Sequence, residues 1–140
     1  MIGYEARIGS DIFTGEHARD VIAEMPAGLT VAIDIETPGL HDPFTIKCLT
    51  ASWKNCSSFT TVLLDPARNN ADRAHAENLL DRAGTLVLHN SAFDIPGLHV
   101  AGLIEHHHLD KIVDTLIYVR MARPDTLERK TLEACAERYL

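Results

Sequence analysis

Cysteine is scarce: the chain has three, Cys48, Cys56 and Cys135, and no Cys-x-x-Cys spacing. An odd, scattered set argues against a disulfide framework and favours a reduced, cytoplasmic protein. No apolar stretch reaches the ~18 residues of a membrane helix, and no basic-then-apolar leader follows Met1, so neither a membrane span nor a signal peptide is expected. Positive charge is short as well, with 13 Lys and Arg against 20 Asp and Glu, a net charge of −7. Nonspecific affinity for nucleic acid comes mainly from Lys and Arg on phosphates, so little intrinsic affinity of that kind is expected. There is no internal repeat, low-complexity tract or long charge run. What remains, 140 residues at 46% hydrophobic content, is enough for one core and one domain, residues 1–140.

The most informative stretch that is present is Val31-Ala32-Ile33-Asp34-Ile35-Glu36-Thr37. On a strand, residues two apart share a side, so Asp34 and Glu36 leave one face while Ile33 and Ile35 pack on the other. Two acids this close repel unless a hard cation such as Mg²⁺ or Mn²⁺ neutralises them. Solvated acids at a half-exposed strand end are the competing reading. A second apolar run, Leu86-Val87-Leu88, breaks into His89-Asn90-Ser91-Ala92-Phe93-Asp94. Here Asn90 or Ser91 suits a helix N-cap, Asp94 falls in the first turn, and Pro96 is placed in that turn too, where a missing N–H costs nothing. Asp94 could serve only the helix dipole. Ile112-Val113-Asp114-Thr115 repeats the pattern, and Asp114 reads equally as a ligand or as the cap of a helix beginning at Leu116.

Around these junctions, periodicity predicts a helix over His17–Met25 and the first strand directly after it. Strands are expected over Thr45–Trp53 and Phe59–Leu64 as antiparallel partners of the first, and a helix over Asn70–Ala83. A strand before Asn90, a helix to about Ala101, a short strand at Ile112–Asp114 and two helices complete the order. Three acids at successive strand ends suit an α/β sheet whose strand termini line one crevice.

The strings DIETPGL (Asp34–Leu40), HNSAFD (His89–Asp94) and VDTLIYVRMARP (Val113–Pro124) resemble the motifs of the DEDD 3′–5′ exonucleases. They are most similar to the proofreading exonuclease domain of family A DNA polymerases, including phage ones. The resemblance covers about Val31 to Leu140. It implies an α/β, ribonuclease H-like fold with a mixed central sheet flanked by helices, and two Mg²⁺ or Mn²⁺ ions in the complete site. Asp34 would bridge the two ions, Glu36 would bind the nucleophile-side ion and Asp94 would help hold the other. Thr37 and Leu40 would touch the 3′-terminal nucleotide of single-stranded DNA, Leu40 as an apolar wedge, with Asn90 and Phe93 beside the strand. Asp114 matches a supportive Asp-Thr pair. The family's third motif, Tyr-x-x-x-Asp or His-x-x-x-x-Asp, is expected after Thr131–Leu140 and is not in these residues. The expectation is therefore a chain truncated before that motif, with a polymerase domain C-terminal in the parent protein and weak or no activity on its own. A free-standing DEDD exonuclease or ribonuclease, and a non-catalytic binding fragment, are the alternatives.

Outside the motifs, His106-His107-His108 is expected in a solvated loop, because adjacent side chains diverge in regular conformations. His89 is either a site residue or a histidine hydrogen-bonded at a strand end. Cys48 and Trp53 are expected in the core.

Overall fold

The computed structural model describes residues 10–124 and 130–139; Leu140, at the end of the expected last helix, lies outside them. The strands are β1 (Ser10–Thr14), β2 (Thr30–Glu36), β3 (Cys48–Asn55), β4 (Ser58–Leu64), β5 (Thr85–Leu88) and β6 (Ile112–Asp114). The helices are α1 (Gly15–Glu24), α2 (Asn70–Arg82), α3 (Ser91–Val100), α4 (Thr115–Ala122) and α5 (Leu132–Tyr139).

The strands form one mixed sheet in the order β1-β4-β3-β2-β5-β6. β2, β5 and β6 run parallel, so their C-terminal ends, carrying Asp34 and Glu36, His89 and Asp114, meet along one edge. β3 is antiparallel to β2, while β4 pairs with β3 rather than with the first predicted strand. β1 is an addition that periodicity did not reveal; it pairs parallel to β4 through Ser10 to Thr14. Five residues bordered by a helix give too short a pattern, and only the long-range partner makes them a strand.

The alternation in β2 behaves as expected. Val31, Ile33 and Ile35 are at most 5% exposed, while Ala32, Asp34 and Glu36 face away from them. The buried side continues through Leu49, Ala51 and Trp53 of β3 and Val62 and Leu64 of β4. Against it lie Ala18 and Ile22 of α1, Ala76, Leu79 and Leu80 of α2, and Leu98 of α3, forming one apolar cluster. Arg82 ties the first two helices, its guanidinium donating to the carbonyls of Ile22, Ala23 and Met25 at the end of α1. At Gly97 a Cβ would run into the Pro43 carbonyl and lie 3.1 Å from Ile35 Cδ1, so a glycine there lets α3 close on the loop that follows β2.

On the other face, Leu132 of α5 and Thr115 of α4 border a concavity of about 230 Å³ floored by Ala32, Asp34, Thr50, Ser52 and Val87. Trp53 is core as expected, at 2% exposure. Cys48 is not; it is half-buried and pairs across the strands with Glu36, on the acidic side of the sheet. Pro96 is also displaced from its expected place, since α3 already begins at Ser91 and the ring enters its second turn. Among the described residues no helix is long and apolar enough to cross a membrane.

Candidate active site

Asp34 is the fifth residue of β2 and Glu36 its last, both on the exposed side. The strand is held to β3 there by paired backbone and by the Thr50 hydroxyl, which donates to the Asp34 carbonyl at 3.3 Å. Asp94 reaches the same end from α3, one helix away. It is 4% exposed. Burial first, then the charge of Asp34, push its carboxyl up from 3.8 to about 6, with Asp114 adding to the effect and the Ile35 amide opposing it. Burial and the charge of Glu36 raise Asp34 in the same way. Asp34 thus feels the charge of Glu36, and Asp94 that of Asp34, but among the described residues the three carboxylates do not bring one ligand atom each within 4.8 Å of one another, and no ion pair involves any of them. The Cys48 thiol beside them is raised as well, by burial and then by Glu36.

The loop leaving β2 presents the next candidates. Thr37 is half-buried and its hydroxyl donates to the Gly39 carbonyl at 3.2 Å, turning the chain back on itself. The Asp42 amide donates to the same carbonyl at 3.0 Å, and the Lys47 amide donates to the Glu36 carbonyl at 2.7 Å to close the loop. Leu40 stands at the tip, 86% exposed, with no part in the core. Phe93 is half-buried in the first turn of α3, and Asn90 is exposed at its N-cap.

The capping differs from expectation. Asn90 occupies the cap position in the left-handed region, φ +69°, where Asn is among the few tolerated non-glycine residues, and its side chain makes no cap hydrogen bond. The cap is supplied from β6. The Asp114 carboxylate accepts from the amides of Asn90 (3.0 Å) and Ser91 (2.7 Å), from the Ser91 hydroxyl (2.7 Å), and from the Leu116 amide (2.8 Å) at the start of α4. These bonds outweigh burial and hold its carboxyl below the ordinary range. With its lone pairs so engaged, Asp114 reads as the joint of two helix starts, the capping alternative open in the sequence. Ser91, which the sequence offered as a capping residue, is instead the first helical residue and donates to the Asp114 carboxylate through both its amide and its hydroxyl.

His89 sits on the acidic side of the sheet. Its Nδ1 lies 2.9 Å from the Thr115 hydroxyl and its Nε2 accompanies the Lys130 carbonyl at 2.8 Å, while the Thr115 hydroxyl lies 3.1 Å from the Leu88 carbonyl. It is a hydrogen-bonded strand-end histidine that fastens the chain ahead of α5 to β5.

The histidine run is not a solvated loop. It forms a 3-10 turn over His106–Lys111 in which His108 is 3% exposed, and His107 and His108 both reach Asp81.

No protein-family model and no curated sequence matches this chain. Among solved structures it is similar to the EXO domain of Nibbler from Aedes aegypti, with 13% identity and a TM-score of 0.51. The match covers 84% of this chain and 58% of that one, so the chain spans little more than half of that domain's length. Likeness at this identity speaks to architecture. The chain has an α/β, ribonuclease H-like fold, a mixed central sheet flanked by helices, of the kind found in that EXO domain.

Proposed function

We propose that the chain is a metal-dependent 3′–5′ exonuclease domain of the DEDD type, hydrolysing terminal phosphodiester bonds at the 3′ end of single-stranded DNA. The observation that carries the reading is the run of carboxylates at the C-terminal edge of the parallel strands, where Glu36 acts on Asp34 and Asp34 on the buried Asp94, in a fold shared with an EXO domain. The residues present fit hard divalent cations. Three carboxylates, two raised by burial and mutual repulsion and none in an ion pair among the described residues, are oxygen donors whose charge calls for Mg²⁺ or Mn²⁺ rather than zinc. Two such ions, when bound, supply an activated water and stabilise the leaving oxygen.

In this reading Asp34, Glu36 and Asp94 hold the ions on rigid elements. Leu40, exposed at its loop tip, and Phe93 receive the terminal base. Thr37 and Asn90 flank the substrate strand, and Asp114 positions the turn that carries Asn90 and Asp94. The acidic chain needs little affinity of its own if a neighbouring polymerase domain delivers the DNA end. Proofreading for a family A polymerase is the finer form of the proposal, supported by DIETPGL, HNSAFD and VDTLIYVRMARP, and a cytoplasmic setting suits three free cysteines.

The test pairs Mn²⁺ binding, read by electron paramagnetic resonance, with digestion of 5′-labelled single-stranded DNA and RNA of the same sequence. Asp34→Ala should abolish tight Mn²⁺ binding and any stepwise shortening from the 3′ end, while His107→Ala should leave both intact. Mn²⁺ binding indifferent to Asp34→Ala, or shortening from the 5′ end, would overturn the reading. Faster loss of the RNA would move the substrate from DNA to RNA.

A further inference from the structure

We propose that Asp81, His107 and His108 form a second cation site, separate from the acidic centre and suited to a borderline transition metal such as Zn²⁺, Co²⁺ or Ni²⁺. One ligand atom from each lies within 4.8 Å of the others. Two imidazoles with one carboxylate are the donor set that such ions prefer, whereas Mg²⁺ favours oxygen alone. Asp81 is in the last turn of α2, where the carbonyl end of the helix dipole also favours a cation. The trio borders a concavity of about 300 Å³ into which Glu77 and Glu105 bring further carboxylates.

The side-chain arrangement shows both the preorganisation and its cost. Asp81 Oδ1 lies 2.8 Å from His108 Nε2 and 3.2 Å from His107 Nε2, so a single oxygen already gathers both rings, whose centroids lie 3.9 Å apart with the planes tilted by 36°. The Glu105 amide donates to His108 Nδ1 at 3.0 Å, which fixes the neutral ring's proton on Nε2, pointing at Asp81. A metal ion at Nε2 must take the place of that proton, and Nδ1 must then carry it. A ligating histidine normally donates its other N–H to a carboxylate or carbonyl. The Glu105 carboxylate, which accepts from the His108 amide, lies 3.6 Å from His107 Nδ1 and so stands ready for the outer nitrogen of that ring. Loading the site thus costs His108 Nδ1 its bond from the Glu105 amide. The bound ion would staple the end of α2 to the 3-10 turn ahead of β6, a structural role rather than a catalytic one.

Cobalt(II) is the probe, titrated into the 140-residue chain and followed by its visible absorption. A saturable band should appear, persist in Asp34→Asn, and require about tenfold or more Co²⁺ in His107→Ala. His107 is 59% exposed on its side chain, so this variant should fold as the parent does; circular dichroism checks it, and His108→Gln provides the buried counterpart. Zn²⁺ should raise Tm in the parent and in Asp34→Asn but not in His107→Ala. Absence of a saturable band, or a band unaltered by His107→Ala, would overturn the proposal. A band lost in Asp34→Asn would do so too, by assigning the metal to the acidic centre.

Discussion

Asp94 carries the clearest consequence at the scale of single residues. Its carboxyl is raised from 3.8 to about 6, so the folded protein binds that proton more tightly than the unfolded chain. The contribution to stability is complete below 3.8 and is lost as pH rises through about 6. Asp114 and Asp81 are lowered and act in the opposite sense, losing their contribution as pH falls, so the informative quantity is a difference between variants. In metal-free buffer, Asp94→Asn should gain Tm relative to the parent as pH rises from 3.8 to about 6, with the gap level above that. A gap independent of pH in a fluorimetric melting series would mean that Asp94 is an ordinary carboxylate. Leu40 offers a second residue-scale outcome. At 86% exposure it contributes almost nothing to the core, so Leu40→Ala should leave Tm unchanged. If it is a wedge against the terminal base, the same variant should weaken 3′-end binding by less than the 1 to 3 kcal/mol typical of aromatic stacking, read as Kd for a short oligonucleotide. A steep fall in Tm would instead assign Leu40 to packing.

Among elements, the start of α3 depends on β6. Asp114 satisfies amides from α3 and α4 at once, and it does so across 24 residues of sequence to Asn90. Asp114→Ala removes a cap and a set of charge-assisted bonds and should destabilise the protein by about 2 kcal/mol or more, measured by urea denaturation. Asp114→Asn keeps one acceptor oxygen and should recover part of the loss. The packing of α3 makes a further demand. Gly97→Ala would push a methyl into the Pro43 carbonyl, backbone that cannot rotate aside. The expected cost is about 1 to 3 kcal/mol, with α3 and its Asp94 displaced from β2. An alanine variant as stable as the parent would show that the loop yields freely.

For the molecule as a whole, charge dominates. A net charge of −7 is concentrated in part at the edge where β2, β5 and β6 end, on the sheet face whose concavity Asp34 helps to floor. A divalent cation that binds only the folded state stabilises it by mass action, by about 2.7 kcal/mol at a hundredfold excess over Kd. Mg²⁺ should therefore raise Tm and chelation reverse it. The rise should disappear in Asp34→Ala and not in a variant of the exposed, remote Glu16. A rise of equal size in both would point to general screening of the acidic surface.

Local rules were enough for part of this. The alternation through Val31 to Glu36 determined which side of β2 the acids take, because strand geometry repeats every two residues whatever the partner. The turn residues Pro38 and Gly39 likewise determined that Leu40 would be exposed, and the motif strings carried the ribonuclease H-like fold. Other features were decided only in three dimensions. β1 is a strand because β4 lies beside it, and Cys48 leaves the core because its register pairs it with Glu36. Whether Asp114 is a ligand or a cap depended on where the amides of Asn90 and Ser91 come to rest. Adjacent histidines, expected to diverge into solvent, converge because Asp81, 26 residues earlier than His107, offers one oxygen to both rings. Hydrogen-bond partners so distant along the chain leave no periodic trace in it, since their meeting is fixed by the packing of α2 and α3 on the sheet rather than by the residues on either side.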